Sequence, residues 1–459
     1  MATYVNGDSP SSVAFAGSGR CYSGYSGAVS SASGPSALPE VSPPPRRRPK
    51  DRKAQIARAS AEAFSAQGYH AVSMETIAAK VGVSAPALYR HYAGKYDLFR
   101  DAVLTLSRQL VEATDLEDVG TDPGQVRDGI IAGLIDAALE NRASGGLYRW
   151  QARYLRAGDQ AELADQLKLI NRRIQKPLNE IRPGLRSEQR WLLSAGVLSV
   201  IGSIVDHSGR LPADQIRALF GAAASGILAA ELPQPEDVFP RPASWRLFTE
   251  DAGVYEALLH ASMMLFKERG YAETSMAQIA KAAGVPVSGI YRYFSGKCEI
   301  LATGLRRAAD RVSGQLSPVV GALTEPRQAL ALLIEAYVAT SFANPELGAV
   351  YYTERTNLTP ADQMLLHNVQ LSTIDSWVRL LTAARPSLTP VPARFLVHAA
   401  MALVVDLGRM GESAYLQACV RKLMDVTLFG PGAGADEAPH RPPERARRGS
   451  SIPDRAARR

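Results

Sequence analysis

Cysteine is scarce in this chain: Cys21, Cys298 and Cys419 are the three among 459 residues, and they lie far apart. So few thiols build neither a disulfide framework nor a zinc knuckle, and a reducing location, cytoplasmic and nucleoid-associated, is expected. Long hydrophobic runs are missing too. The apolar stretch near Ala195–Val205 is short and broken by Ser and Gly. A spanning helix needs about 20 apolar residues, so no membrane partner is expected. No convincing alternation of apolar and polar residues marks a strand. Catalytic signatures are also absent: there is no phosphate loop, no H-E-x-x-H and no G-x-S-x-G. The histidines, His70, His91, His207, His260, His367, His398 and His440, are scattered. The expectation is a protein that is not an enzyme and needs no metal or cofactor.

What is present is enough apolar content to bury a core. Hydrophobic residues make up 46% and charged residues 21%, which excludes a wholly disordered chain. The net charge of +7 and a pI near 9.2 suit a polyanionic partner. Its placement says more than its size. Residues 46–108 hold twelve Lys and Arg against five acids, so this one stretch carries the whole excess.

Residues 1–45 are rich in Ser, Gly, Ala and Pro and read as a disordered leader, without the basic start and apolar core of a secretory signal. Residues 431–459 read as a disordered basic tail, and 231–245, with four prolines, as a linker. Helical spacing dominates the rest. Ile56, Ala59, Ala63 and Phe64 form one apolar stripe, and Ser187–Val205 and Pro392–Leu407 read as long helices buried on more than one side.

Sliding the chain against itself by 202 positions aligns residues 64–99 with 266–301 without a gap, with thirteen identities in thirty-six positions. The matches include Phe64/Phe266, Gly68/Gly270, Tyr69/Tyr271, Ser73/Ser275, Ile77/Ile279, Gly82/Gly284, Tyr89/Tyr291, Arg90/Arg292 and Lys95/Lys297. The chain is a tandem duplication. Within the first copy, Lys53–Gln67 reads as a helix closed by Gly68, and Ser73 caps a second helix over Met74–Val81. Gly82 then turns the chain, and Ser84 caps a third helix over Ala85–His91. A short helix, a glycine turn and a second short helix make a helix-turn-helix, whose last helix enters the DNA major groove.

The pattern Phe64…Gly68-Tyr69…Ser73-Met74-x-x-Ile77-Ala78…Gly82-Val83-Ser84-x-x-x-Leu88-Tyr89-Arg90-His91-Tyr92-x-x-Lys95 resembles the DNA-binding domain of TetR-type transcriptional regulators, and residues 266–301 resemble it again. The resemblance implies an all-α fold of two tandem repeats, each a DNA-binding domain followed by a helical effector-binding and dimerisation domain. The expected boundaries are 46–96 and 97–230 for the first repeat, 246–298 and 299–430 for the second. It also implies that Ala85 and Pro86, and Val287 and Ser288, face bases. Tyr89, His91 and Lys95, with Tyr291, Tyr293 and Lys297, would hold phosphates. Ala, Pro and Val can read only thymine methyls or shape, so Arg90 and Arg292 are either the polar base readers or phosphate clamps. The capping residues Ser73, Ser84 and Ser275 complete the expected DNA-binding set. In the second copy Pro286 stands where Ser84 caps the first, and Ser288 offers an alternative hydroxyl.

Further along, Trp150, Arg153 and Tyr154 align with Tyr352, Arg355 and Thr356. Two readings stand for Trp150, Arg153, Tyr154, Tyr352 and Arg355: the lining of an effector pocket, or helix packing with a surface salt bridge. Asp206 with Arg210 and Asp406 with Arg409 read as structural pairs. By the resemblance, the last two helices of each repeat would pair within one chain. The functional expectation is a ligand-responsive repressor acting as a single-chain pseudo-dimer on an imperfectly palindromic operator, with a small apolar effector. The rival is a helical scaffold that keeps the fold and binds a protein partner.

Overall fold

The computed structural model describes residues 52–116, 122–144, 146–207, 209–238, 246–314 and 324–431. The expected leader, the arginines at 46–48, the tail beyond 431 and residues 239–245 of the expected linker lie outside the described residues. Among the described residues there are eighteen α-helices and no strand, in two sets of nine that follow one another in the same order. The first set is α1 (Arg52–Gln67), α2 (Met74–Lys80), α3 (Ala85–Tyr89), α4 (Lys95–Ala113), α5 (Pro123–Glu140), α6 (Leu147–Trp150), α7 (Ala157–Ile181), α8 (Ser187–Gly202) and α9 (Ala213–Ala229). The second set is α10 (Val254–Arg269), α11 (Met276–Ala282), α12 (Val287–Ile290), α13 (Lys297–Gly314), α14 (Pro326–Ala343), α15 (Pro345–Glu354), α16 (Pro360–Ala384), α17 (Pro390–Leu407) and α18 (Ala414–Phe429).

The apolar stripes sort these helices into three cores. Ile56, Phe64, Ile77, Leu88, Leu98 and Phe99 close the first, around α1–α4. Leu258, Phe266, Ile279, Ile290 and Ile300 close its counterpart around α10–α13. The third core draws on both halves: Leu193, Val197, Phe220 and Ile227 pack with Phe395, Leu403, Val420 and Leu423. Here α8 lies against α17 and α9 against α18. Gly196 permits the approach, since a Cβ there would stand 3.3 Å from side-chain carbons of both Ile227 and Leu423. Near-continuous apolar sequence in α8 and α17 follows from burial on several sides. The helical stretch Pro390–Met410 has the length and hydropathy of a membrane span, yet more than half of it is buried in the protein, as the core helix of a bundle would be.

Candidate nucleic-acid interface

The α2–turn–α3 unit is held by local hydrogen bonds that its sequence dictates. Ser73 Oγ accepts from the Thr76 amide at 3.1 Å and Ser84 Oγ from the Ala87 amide at 3.4 Å, so each helix start has a side-chain cap. Between them Gly82 turns at φ +65°, and Gly284 at φ +68° in the second half, a conformation that side chains with a Cβ resist. The α3 helix stops at Tyr89, two residues before the expected end. There the turn tightens: the His91 and Tyr92 amides both donate to the Leu88 carbonyl, at 2.9 and 3.1 Å. That bend carries Tyr92 into the core, where its hydroxyl donates to Asp101 at 2.6 Å.

What remains outside is the face expected to read DNA. Pro86, Tyr89, Arg90 and His91 are exposed and Ala85 is half-buried. In the second half Val287, Ser288, Tyr291, Arg292 and Tyr293 are all exposed. Tyr89 and Tyr291 keep 50% and 57% of their surface accessible while Leu88 and Ile290 keep none. Ser275 caps α11 through a reciprocal pair with Gln278, accepting from its amide at 3.2 Å while the Ser275 amide donates to Oε1 at 2.7 Å. Pro286 gives α12 no side-chain cap, and Ser288 makes no hydrogen bond among the described residues, so its hydroxyl does not replace that of Ser84.

Lys95 and Lys297 open α4 and α13 and are held alike. Lys95 Nζ donates to the His70 carbonyl at 3.1 Å and lies 4.6 Å from the centre of the Tyr69 ring. Lys297 Nζ donates to the Tyr271 carbonyl at 2.7 Å and lies 4.5 Å from that residue's ring. Burial pushes both ammonium pKa values down; at Lys297, Glu273 and Glu354 act against it. An ammonium has three donors, so one can fix the loop and leave others for a phosphate.

The residues considered for an effector pocket divide, with Tyr352 on a cavity wall and the other four off it. Trp150 and Tyr352 stack on each other, ring centres 4.2 Å apart and planes 9° from parallel. They are equivalent residues of the two repeats, and equivalents meet where an axis relating two copies passes. Nearby, Arg149 reaches Asp206 at 2.6 Å and Asp406 at 2.5 Å, again an equivalent pair. Burial opposes the Arg149 charge, but the two carboxylates outweigh it and raise its pKa. The expected pairs Asp206–Arg210 and Asp406–Arg409 do not form, because both carboxylates turn to Arg149. Arg153 pairs with the fully buried Glu354 and donates to the Phe266 carbonyl at 3.1 Å. Tyr154 stacks on Tyr69 at 5.4 Å, and the Arg355 guanidinium lies 5.6 Å from the Tyr351 ring centre.

A cavity of about 190 Å³ lies in the second repeat between α13–α17, whereas the equivalent region of the first holds about 30 Å³, room for little more than a water. Tyr352 lines the larger cavity; Trp150, Arg153, Tyr154 and Arg355 line neither. Trp150 and Arg153 make their contacts with the other repeat, on Tyr352 and Glu354. Sequence reasoning did not single out Glu354, Arg149 or the half-buried stack of His207 on His398, with ring centres 4.3 Å apart. Each draws its meaning from a partner in the other repeat, which spacing along one copy does not reveal.

Residues 56–102 and 258–303 each match the model of the family described as "Bacterial regulatory proteins, tetR family". The chain is 29% identical over 129 residues to the HTH-type transcriptional regulator HbdR of Aromatoleum sp. (strain CIB), covering 28% of this chain and 56% of that protein. It therefore spans little more than half the length of that relative. It is 24% identical over 189 residues to an uncharacterized HTH-type transcriptional regulator of Mycobacterium tuberculosis (strain H37Rv), covering 41% of this chain and 92% of the relative. Among solved structures, the ketosteroid transcriptional regulator KstR2 of Mycobacterium tuberculosis aligns at 20% identity and a TM-score of 0.37, over 40% of this chain and 98% of its own.

Proposed function

Since the chain belongs to the TetR family of DNA-binding transcriptional regulators and carries that family's DNA-binding domain twice, we propose that one chain does the work of a dimer. The observation that carries this reading is the shared core of α8, α9, α17 and α18, which joins two exposed reading helices within a single polypeptide. Each reader meets one half of an operator, α3 in one major groove and α12 in another. Arg90 and Arg292 contact bases or clamp phosphates. Tyr89, His91 and Lys95 hold backbone on one side, and Tyr291, Tyr293 and Lys297 on the other. Because Ala85-Pro86 and Val287-Ser288 differ, the operator is an imperfect palindrome. A small apolar effector in the cavity of the second repeat changes the spacing of the readers and relieves repression, the sense implied by the family resemblance.

Footprinting with stoichiometry by sedimentation tests the proposal. One chain on one site with unlike halves is expected. A symmetric site, or one that needs two chains, overturns it. Binding that weakens with salt identifies the phosphate contribution, and no DNA binding at all favours a scaffold.

A further inference from the structure

The cavity of the second repeat is walled mainly by apolar side chains, among them Leu305, Leu366, Ile374, Met401 and Val404. One cation breaks that pattern. Arg409, on the turn that follows α17, also lines the cavity and remains accessible. It forms no hydrogen bond and no ion pair among the described residues. Its contact is with the Trp150 ring, 4.7 Å from the guanidinium carbon to the ring centre. The carboxylates around it are taken: Asp406 accepts from Arg149 at 2.5 Å and from Ser199 at 2.7 Å, Asp206 accepts from Arg149 and Trp150, and Glu354 pairs with Arg153. The Tyr352 hydroxyl, on the same wall, has no hydrogen-bond partner among the described residues either.

Resting on the effector reading above, we propose that this cavity binds a small apolar carboxylic acid as its anion, the carboxylate docking on Arg409 and the Tyr352 hydroxyl and the hydrocarbon filling the apolar end. A guanidinium presents a planar fork of donors that matches a carboxylate in two parallel hydrogen bonds. A neutral apolar occupant would cover that fork without pairing it, which is unfavourable. The imidazole of His398 in the wall is kept neutral by burial and by Arg394, its pKa pushed down to about 4, so Arg409 is the one cation the cavity offers and a monoanion is the match. The first repeat has no equivalent volume, so each chain takes one ligand. Both docking groups touch Trp150 of the first repeat, so its indole emission reports occupancy.

The test is calorimetric titration of the full chain, free of DNA, with octanoate and with 1-octanol as the uncharged match. One site per chain is expected, with octanoate at least about tenfold tighter than octanol. Arg409→Met should abolish that preference and leave octanol binding unchanged. Should Arg409→Met fail to fold, Arg409→Lys, which keeps the charge and loses the fork, should retain only part of it. Octanol binding as tightly as octanoate, equal losses for both ligands in the variant, two equal sites per chain, or no binding of either ligand would each overturn the proposal. Release from operator DNA is measured separately. Octanoate that binds at Arg409 without releasing DNA overturns the effector reading and upholds the site.

Discussion

The two repeats share a scaffold and differ in what they put on it. Phe64/Phe266, Ile77/Ile279, Leu88/Ile290 and Leu98/Ile300 are fully buried in both, and both lysines donate into the same loop, Lys95 to the His70 carbonyl and Lys297 to those of Tyr271 and Ala272. Around these constants the rest diverges. Residues 46–108 carry twelve basic residues against five acids, and residues 246–311 nine against seven. One reading helix starts on a serine cap and the other on an uncapped proline, and the cavities differ about sixfold in volume. A handful of apolar positions is enough to keep the fold. Surface charge and internal volume are free to specialise each copy, provided that the seam between them survives.

The seam yields the largest expected effect. His207 from the first repeat and His398 from the second are stacked and half-buried. Burial depresses both pKa values, to about 3 for His207, with His398, Arg142 and Arg394 adding to it, and to about 4 for His398. The unfolded chain binds protons at these rings near pH 6.5 and the folded chain does not, so stability is full above that pH and is lost as pH falls toward 4. The slope should reach roughly 1.4 kcal/mol per pH unit for each imidazole. Urea unfolding across pH 4–7 measures it, and His207→Phe should flatten the profile; a profile unchanged by that substitution would falsify the assignment.

A second way to break the seam is Arg153→Met, which strands the buried Glu354. A loss of about 3 kcal/mol in unfolding free energy is expected, with much of it recovered in Arg153→Met/Glu354→Leu. A single variant as stable as the parent would show that the pair does not hold the halves together.

Next comes the inequality of the two readers. Lys95→Ala should weaken operator binding about tenfold and lower the salt slope by about one. Lys297→Ala should do less, because the stretch of sequence that holds it has the smaller basic excess. Fluorescence anisotropy at several salt concentrations compares the two, and equal losses would remove the claim of unequal halves while leaving the pairing intact.

The smallest effect concerns the caps. Ser84→Ala should cost about 1 kcal/mol, and Pro286→Ser should restore up to about the same amount to the second repeat. Calorimetric unfolding of the two variants side by side checks both signs.

Much of this molecule was legible from its residues in order. The duplication, the all-α class and the helix-turn-helix units follow from local spacing: apolar stripes, Ser73 and Ser84 caps, and glycine turns at Gly82 and Gly284. Tyr89 is exposed and Tyr92 buried, because a short helix leaves few choices of face. The partners of Trp150, Arg149, Arg153 and His207 were another matter. Each finds its mate in the other repeat, some 200 residues away, across an axis that exists only once the halves have packed. The cavity is of the same kind. Volume is the difference between how far helices stand apart and how much their side chains fill, and no spacing rule along a single helix contains that difference. Sequence by itself determined which helices form and which faces are apolar; tertiary packing decided which charges meet, which arginine is left over, and which repeat keeps an empty space.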